Sequence, residues 1–224
     1  MTRKRRTLSD LRRRQPFIHP RESVLIVCEG EKTEPQYFDA MRNELRLKKF
    51  VEVHVDRNPG GSDPISVINY AIFLEAERAR ITSTSPILTT YDVIWCVLDV
   101  EAPKPHSSLA DALDKAKVHK LRVTLSNPSF EYWFLLHFEK VTTPFNKDKD
   151  LHDALKQVHP SYKKSRIGFN ILYPLTEIAI KYSEEVLHET GCGEDLRDHN
   201  PSTHVHRVVK YLQQIAKRPV TLSK

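Results

Sequence analysis

Two short apolar runs, each ending in acid, constrain this chain more than any other feature. Ser23-Val24-Leu25-Ile26-Val27-Cys28 is closed by Glu29; Val93-Ile94-Trp95-Cys96-Val97-Leu98 is closed by Asp99 and, two residues on, Glu101. Continuous apolar runs of this length, without polar alternation, are how strands buried on both faces read. Such strands need helices above and below them, and the intervening sequence supplies helical spacing. Thr33 and Pro35 open a segment with Tyr37, Phe38, Met41, Leu45 and Leu47 near helical intervals. Phe50 to Asp56 alternates Val51, Val53 and Val55 with Glu52 and His54, a strand pattern. After the turn Asn58-Pro59-Gly60-Gly61-Ser62, Asp63-Pro64 predicts a helix to about Arg80.

The second apolar run repeats the scheme. A helix is expected over Ser107–Lys117, a short strand over Leu121–Leu125, a turn at Ser126-Asn127-Pro128-Ser129 and an apolar helix over Phe130–Phe138. This alternation across residues 22–138 predicts an α/β core: a mainly parallel sheet with helices on both faces. Residues 139–224 read as a helical extension packed on that core, with helical spacing over Asp150–His159, Ile171–Leu187 and Thr203–Lys217.

Glycine scarcity excludes two common nucleotide sites. The six glycines cannot build a Walker loop or a three-glycine dinucleotide fingerprint. No run of about 18 uncharged apolar residues is present, so no spanning helix is expected. The three cysteines, Cys28, Cys96 and Cys192, cannot form a disulfide framework, and a reducing cytoplasm is the simplest setting.

Charge is concentrated at one end. Residues 1–21 carry eight Lys/Arg, among them Arg3, Arg5, Arg6, Arg12 and Arg13, against the single acid Asp10. The rest of the chain has 27 bases and 28 acids, so the formal net charge of +6 belongs to this arm. It reads as a mobile arm that either contacts nucleic-acid phosphates or serves only as a solvated tail.

Ligands of open parallel sheets bind at the carboxyl ends of the strands. Glu29, Asp99 and Glu101 are expected there, and Asp99 and Glu101, two apart in an extended segment, would point the same way. Carboxylates so close cannot all ionise unless a cation joins them. Mg²⁺ or Mn²⁺ suits oxygen ligands and bridges carboxylate to phosphate.

Four segments carry a resemblance. Cys28-Glu29-Gly30-Glu31-Lys32-Thr33-Glu34-Pro35-Gln36-Tyr37-Phe38, Tyr91 to Asp99, Ser126 to Phe138, and Asn200-Pro201-Ser202-Thr203 with Val205 resemble, in order, the motifs of the RloB-like family. That family is similar in core to Toprim domains, the metal-binding fold of topoisomerases, primases and related nucleases. The resemblance implies a glutamate after the first strand, matched by Glu29, and an Asp-x-Asp after a later strand, matched by Asp99 with Glu101 in the second place. It further implies a Mg²⁺-dependent nuclease of bacterial phage defence, associated with abortive infection, acting on DNA or RNA (tRNA included). An ATPase partner and a homodimer are further expectations. The alternative is a non-catalytic nucleic-acid-binding or regulatory subunit of an ATPase-containing complex.

Other residues have two readings each. Glu131 is a fourth metal carboxylate by the motif, or an acid favoured by the first turn of a helix. Lys32 and Thr33 are phosphate contacts or capping residues. Lys163, Lys164 and Arg166 form a backbone clamp or an exposed loop. His137 reads as a core histidine. Cys192, His199, His204 and His206 lack the paired cysteines of a structural zinc site.

Overall fold

The computed structural model describes residues 22–48, 50–55, 63–84, 89–101, 103–163 and 168–218. Five strands make one sheet in the order β2-β1-β3-β4-β5: β1 Val24–Cys28, β2 Val51–Val55, β3 Val93–Asp99, β4 Arg122–Asn127 and β5 Ser202–Thr203. The first four run parallel, and β5 pairs antiparallel with β4.

The pleat explains why the central strands are apolar at every position. Val24, Ile26, Cys28, Trp95 and Val97 face one core; Leu25, Val27, Ile94, Cys96 and Leu98 face the other. Helices α2 (Pro64–Thr82) and α3 (Leu109–Val118) cover the second face through Val67, Ile68, Ala71, Leu109, Ala112 and Ala116. The first face receives α1 (Thr33–Glu44), α4 (Glu131–Leu135), α5 (Asp148–Val158), α6 (Phe169–Leu172), α7 (Thr176–Glu189) and α8 (Val205–Lys217). Each aliphatic side chain so buried contributes about 1.5–3 kcal/mol relative to exposure, so the two-faced burial of β1 and β3 anchors the fold.

Local chemistry sets the element ends. Asp63 caps α2, accepting from the backbone N–H of Ile65 and Ser66 at 3.1 and 3.2 Å, with Pro64 in the first turn. Helix α4 is only one turn and a half long, shorter than the apolar run predicts. The chain tightens beyond it, with His137 N–H donating to Phe134 and Phe138 N–H to Leu135. Residues 131–137 are buried throughout, so this turn is wrapped by protein on all sides.

Residues beyond 138 complete the same core as β1 and β3. Val205, Val208, Val209, Leu212 and Ile215 line one stripe of α8 and are buried there. Thr203, expected to begin a helix, instead lies in β5, where its hydroxyl meets Ser126 Oγ at 2.9 Å. Two asparagines pin the return of the chain. Asn127 donates to the Leu196 carbonyl at 2.6 Å, and Asn200 bonds both the N–H and the carbonyl of Phe145 at 3.1 and 2.7 Å.

Candidate active site

Because β1 and β3 are neighbours in register, with Cys28 opposite Val97, their terminal acids meet at the carboxyl edge of the sheet. Glu29 N–H extends the ladder to the Val97 carbonyl at 3.1 Å. Its carboxylate turns across the strands and accepts from the backbone N–H of Asp99 at 2.9 Å. Next in the sheet, β4 aligns Ser126 with Asp99, and the turn that follows leads to Glu131. Three adjacent parallel strands therefore deliver Glu29, Asp99 and Glu131 to one edge.

A fourth acid arrives from α1. Glu34, in its first turn, is 4% exposed and folds back to accept from Gly30 N–H at 3.1 Å. Gly30 makes room for it: a Cβ there would sit 2.7 Å from Glu34 Cδ and closer still to both oxygens. Glu34 is a site residue that the strand-end pattern does not point to. The signal was present, since Glu34 precedes Tyr37, Phe38 and Met41 by three, four and seven residues and so shares their buried helix face.

Electrostatics mark these groups as a unit. Burial pushes the Glu29 carboxyl up to about 8, against the Asp99 N–H bond that favours its charge, and Glu101, Glu34 and Asp63 push it further up. Asp99 is raised well above the usual range, first by burial, then by Glu34, Glu29, Glu131 and Glu101. Asp99 Oδ1 is buried and has no hydrogen-bond partner among the described residues. A buried carboxylate oxygen in such company calls for a proton or a cation.

Glu101 differs from the extended geometry expected of it. β3 ends at Asp99, and Glu101 adopts φ +59° with its side chain exposed, its N–H bonded to the Pro128 carbonyl at 2.9 Å. It stays near enough to raise both buried acids. Glu131 is 6% exposed; Ser129 Oγ donates to its Oε2 at 3.0 Å, and His152 Nε2 stands 4.0 Å from its Oε1. Among the described residues, no three His, Cys, Asp or Glu side chains form a ready-made cation site. Glu29, Glu34 and Glu131 each accept a hydrogen bond from a protein donor instead. The donor set still fits a hard divalent ion, which needs only one or two carboxylates and takes water for the rest. Asp99 Oδ1 and the Glu29 carboxylate are the groups that fit this role.

Lys32 is exposed at the position preceding α1, and Thr33 begins that helix. Lys163 is exposed. Lys164 and Arg166, together with Arg3, Arg5, Arg6, Arg12 and Arg13, lie outside the described residues. Glu22 lies two residues before β1, at the sheet edge opposite the acids. There Glu22 accepts from Tyr211 Oη at 2.6 Å and pairs with Arg218 at 2.8 Å. His137 is buried, its Nδ1 2.9 Å from the Trp133 carbonyl. His204 and His206 bond Gly193 and Ser183.

A family model described as RloB-like protein matches residues 24–212. No curated protein and no solved structure matches the chain. Among the described residues, no helix is long and apolar enough to cross a membrane.

Proposed function

The chain belongs to the RloB-like protein family, and we propose that it is a Toprim-like, divalent-metal-dependent nuclease whose setting is bacterial phage defence. The observation that carries this reading is the buried, unpartnered Oδ1 of Asp99 among Glu29, Glu34 and Glu131. Asp99 and Glu29 would hold Mg²⁺ or Mn²⁺, with Glu34 or Glu101 completing the charge. Bound there, such an ion would activate water and neutralise charge building on a phosphodiester. The chain's own part is to hold the carboxylates in place. The Asp99 N–H fixes the Glu29 carboxylate, Ser129 fixes Glu131, and burial keeps competing water from the inner oxygens.

The test uses purified full-length protein with labelled RNA and DNA in Mg²⁺ or Mn²⁺. Glu29→Gln and Asp99→Asn should each abolish cleavage while the thermal melt stays cooperative. Cleavage at the wild-type rate by both variants overturns the reading.

The +7 arm supports a second reading, a nucleic-acid-binding or regulatory subunit without chemistry of its own. Deleting residues 2–14 separates the two. A binder that depends on the arm loses most of its affinity and salt dependence, whereas a metallonuclease keeps metal-dependent cutting.

A further inference from the structure

Strand order puts Glu29 and Glu131 on opposite sides of Asp99. Glu29 follows β1, Asp99 ends β3 and Glu131 follows β4, and these strands lie side by side in that order. At about 4.8 Å per strand, the two glutamates leave the sheet roughly 10 Å apart. An ion held by Glu29 and Asp99 therefore leaves Glu131 to another partner. Glu131 faces α5, which is seated against α4 with Leu151 and Leu155 in the shared core.

The two carboxylate oxygens of Glu131 are not equivalent. Oε2 accepts from Ser129 Oγ at 3.0 Å. Oε1 faces His152 Nε2 at 4.0 Å, too long for a hydrogen bond, and the His152 side chain is about one-fifth exposed. The Tyr162 ring stands beside them, its centroid 6.0 Å from that of His152. Tyr162 is 3% exposed, and its hydroxyl is buried without a hydrogen-bond partner. Burial and then the Glu131 charge push that phenol up, so the hydroxyl keeps its proton within range of the carboxylate. Three segments thus bring together a carboxylate oxygen, an imidazole nitrogen and an unused hydroxyl. Buried polar atoms are seldom left without a partner. Two ligands about 2.1 Å from one ion stand about 3.0–3.4 Å apart at right-angled or tetrahedral geometry, so a small turn of the imidazole closes the gap.

We propose that Glu131 Oε1 and His152 Nε2 hold a second divalent cation, with water in the remaining positions and Tyr162 Oη bonded to one of those waters. Mg²⁺ takes oxygen ligands, whereas imidazole suits transition ions, so this oxygen–nitrogen pair selects Mn²⁺ or Zn²⁺ over Mg²⁺. The inference goes beyond the nuclease reading and does not require cleavage. It requires an ion with one nitrogen ligand.

The experiment titrates Mn²⁺ into the full-length chain and records electron spin-echo envelope modulation, which detects a nitrogen nucleus bonded to the ion. The wild type should show nitrogen coupling, and labelling with ¹⁵N-histidine should convert it to the pattern of that isotope. His152→Gln and Glu131→Gln, each checked for a cooperative melt, should bind the nitrogen-coupled ion at least tenfold more weakly. Tyr162→Phe should keep the coupling and bind about threefold more weakly; an unchanged affinity removes its hydroxyl from the site. Glu29→Gln should keep the coupling, because its ion lies on the other side of Asp99. Zn²⁺ should displace the coupled Mn²⁺ at concentrations where Mg²⁺ does not. A wild type without nitrogen coupling overturns the proposal, and this result needs no variant to fold. Coupling that survives His152→Gln assigns the ion to another histidine and also overturns it. Coupling lost in Glu29→Gln merges the two ions and overturns a second site. The nuclease reading fails separately, through wild-type cleavage by Glu29→Gln and Asp99→Asn, whatever the spectrum shows.

Discussion

The backbone N–H of Asp99 donates to the Glu29 carboxylate at 2.9 Å, joining residues 70 apart in the chain across the ends of β1 and β3. The bond does two things. It satisfies a strand-end donor, and it aims one catalytic candidate at the other.

Replacing Glu29 therefore separates geometry from charge. Glu29→Gln keeps an acceptor for Asp99 N–H and removes the ionisable group, so the melting temperature should hold or rise while Mn²⁺ affinity falls at least tenfold. Glu29→Ala should lose the same affinity and also about 1–3 kcal/mol of stability, the cost of leaving a buried donor unpaired. Calorimetric Mn²⁺ titration and denaturant melts read the two effects. Wild-type Mn²⁺ affinity in Glu29→Gln would remove this carboxylate from the cation site.

Gly30→Ala tests Glu34. The added methyl meets the far end of a flexible side chain, so the fold should survive with a small stability loss. The Glu34 carboxylate must leave its place, and Mn²⁺ affinity should drop several-fold. Affinity equal to wild type would show that Glu34 takes no part in holding the ion.

Buried titratable groups give the metal-free protein a stability maximum near pH 6.5. Burial pushes His137, His204 and His206 down to about 4. The unfolded chain then binds protons that the folded chain refuses, so their contribution is complete above about 6.5 and is lost as pH falls toward 4. Glu29 acts in the opposite sense: raised to about 8, it holds a proton that the unfolded carboxyl gives up, and stability declines as pH rises from about 4.5 to 8. By about pH 7.5 the unfolded histidines have also given up nearly all their protons, so the decline from there to pH 8 isolates the carboxyls. Thermal melts in EDTA should show it, with a shallower alkaline limb in Glu29→Gln. A melting temperature still rising from pH 6.5 to 8 would contradict this.

Asn200 is a structural pin, not a chemical group. Asn200→Ala removes two bonds to the Phe145 backbone. It should cost about 1–3 kcal/mol in a denaturant melt, with cation affinity unchanged. A loss of cation affinity without loss of stability would place Asn200 in the site instead.

The sequence by itself determined the elements and the ends at which chemistry sits. Unbroken apolar runs leave a strand no wet face, so Val24–Cys28 and Val93–Leu98 had to be central, and Glu29 and Asp99 had to follow them. Tertiary structure alone decided which strands are neighbours. β2 follows β1 in the chain, yet it pairs on the outer side and leaves β3 to bring Asp99 beside Glu29. It also turned Glu34 inward and Glu101 outward, and it drew Ser202–Thr203 into the sheet as β5. It set His152 against Glu131. Apolar patterning is a local property of a few residues, whereas the meeting of β1 with β3 and the pairing of two-residue β5 are set by contacts between distant segments, as with Asp99 and Glu29 at 70 residues apart and Ser126 and Thr203 at 77, and Glu101 is held by the Pro128 carbonyl of the next turn.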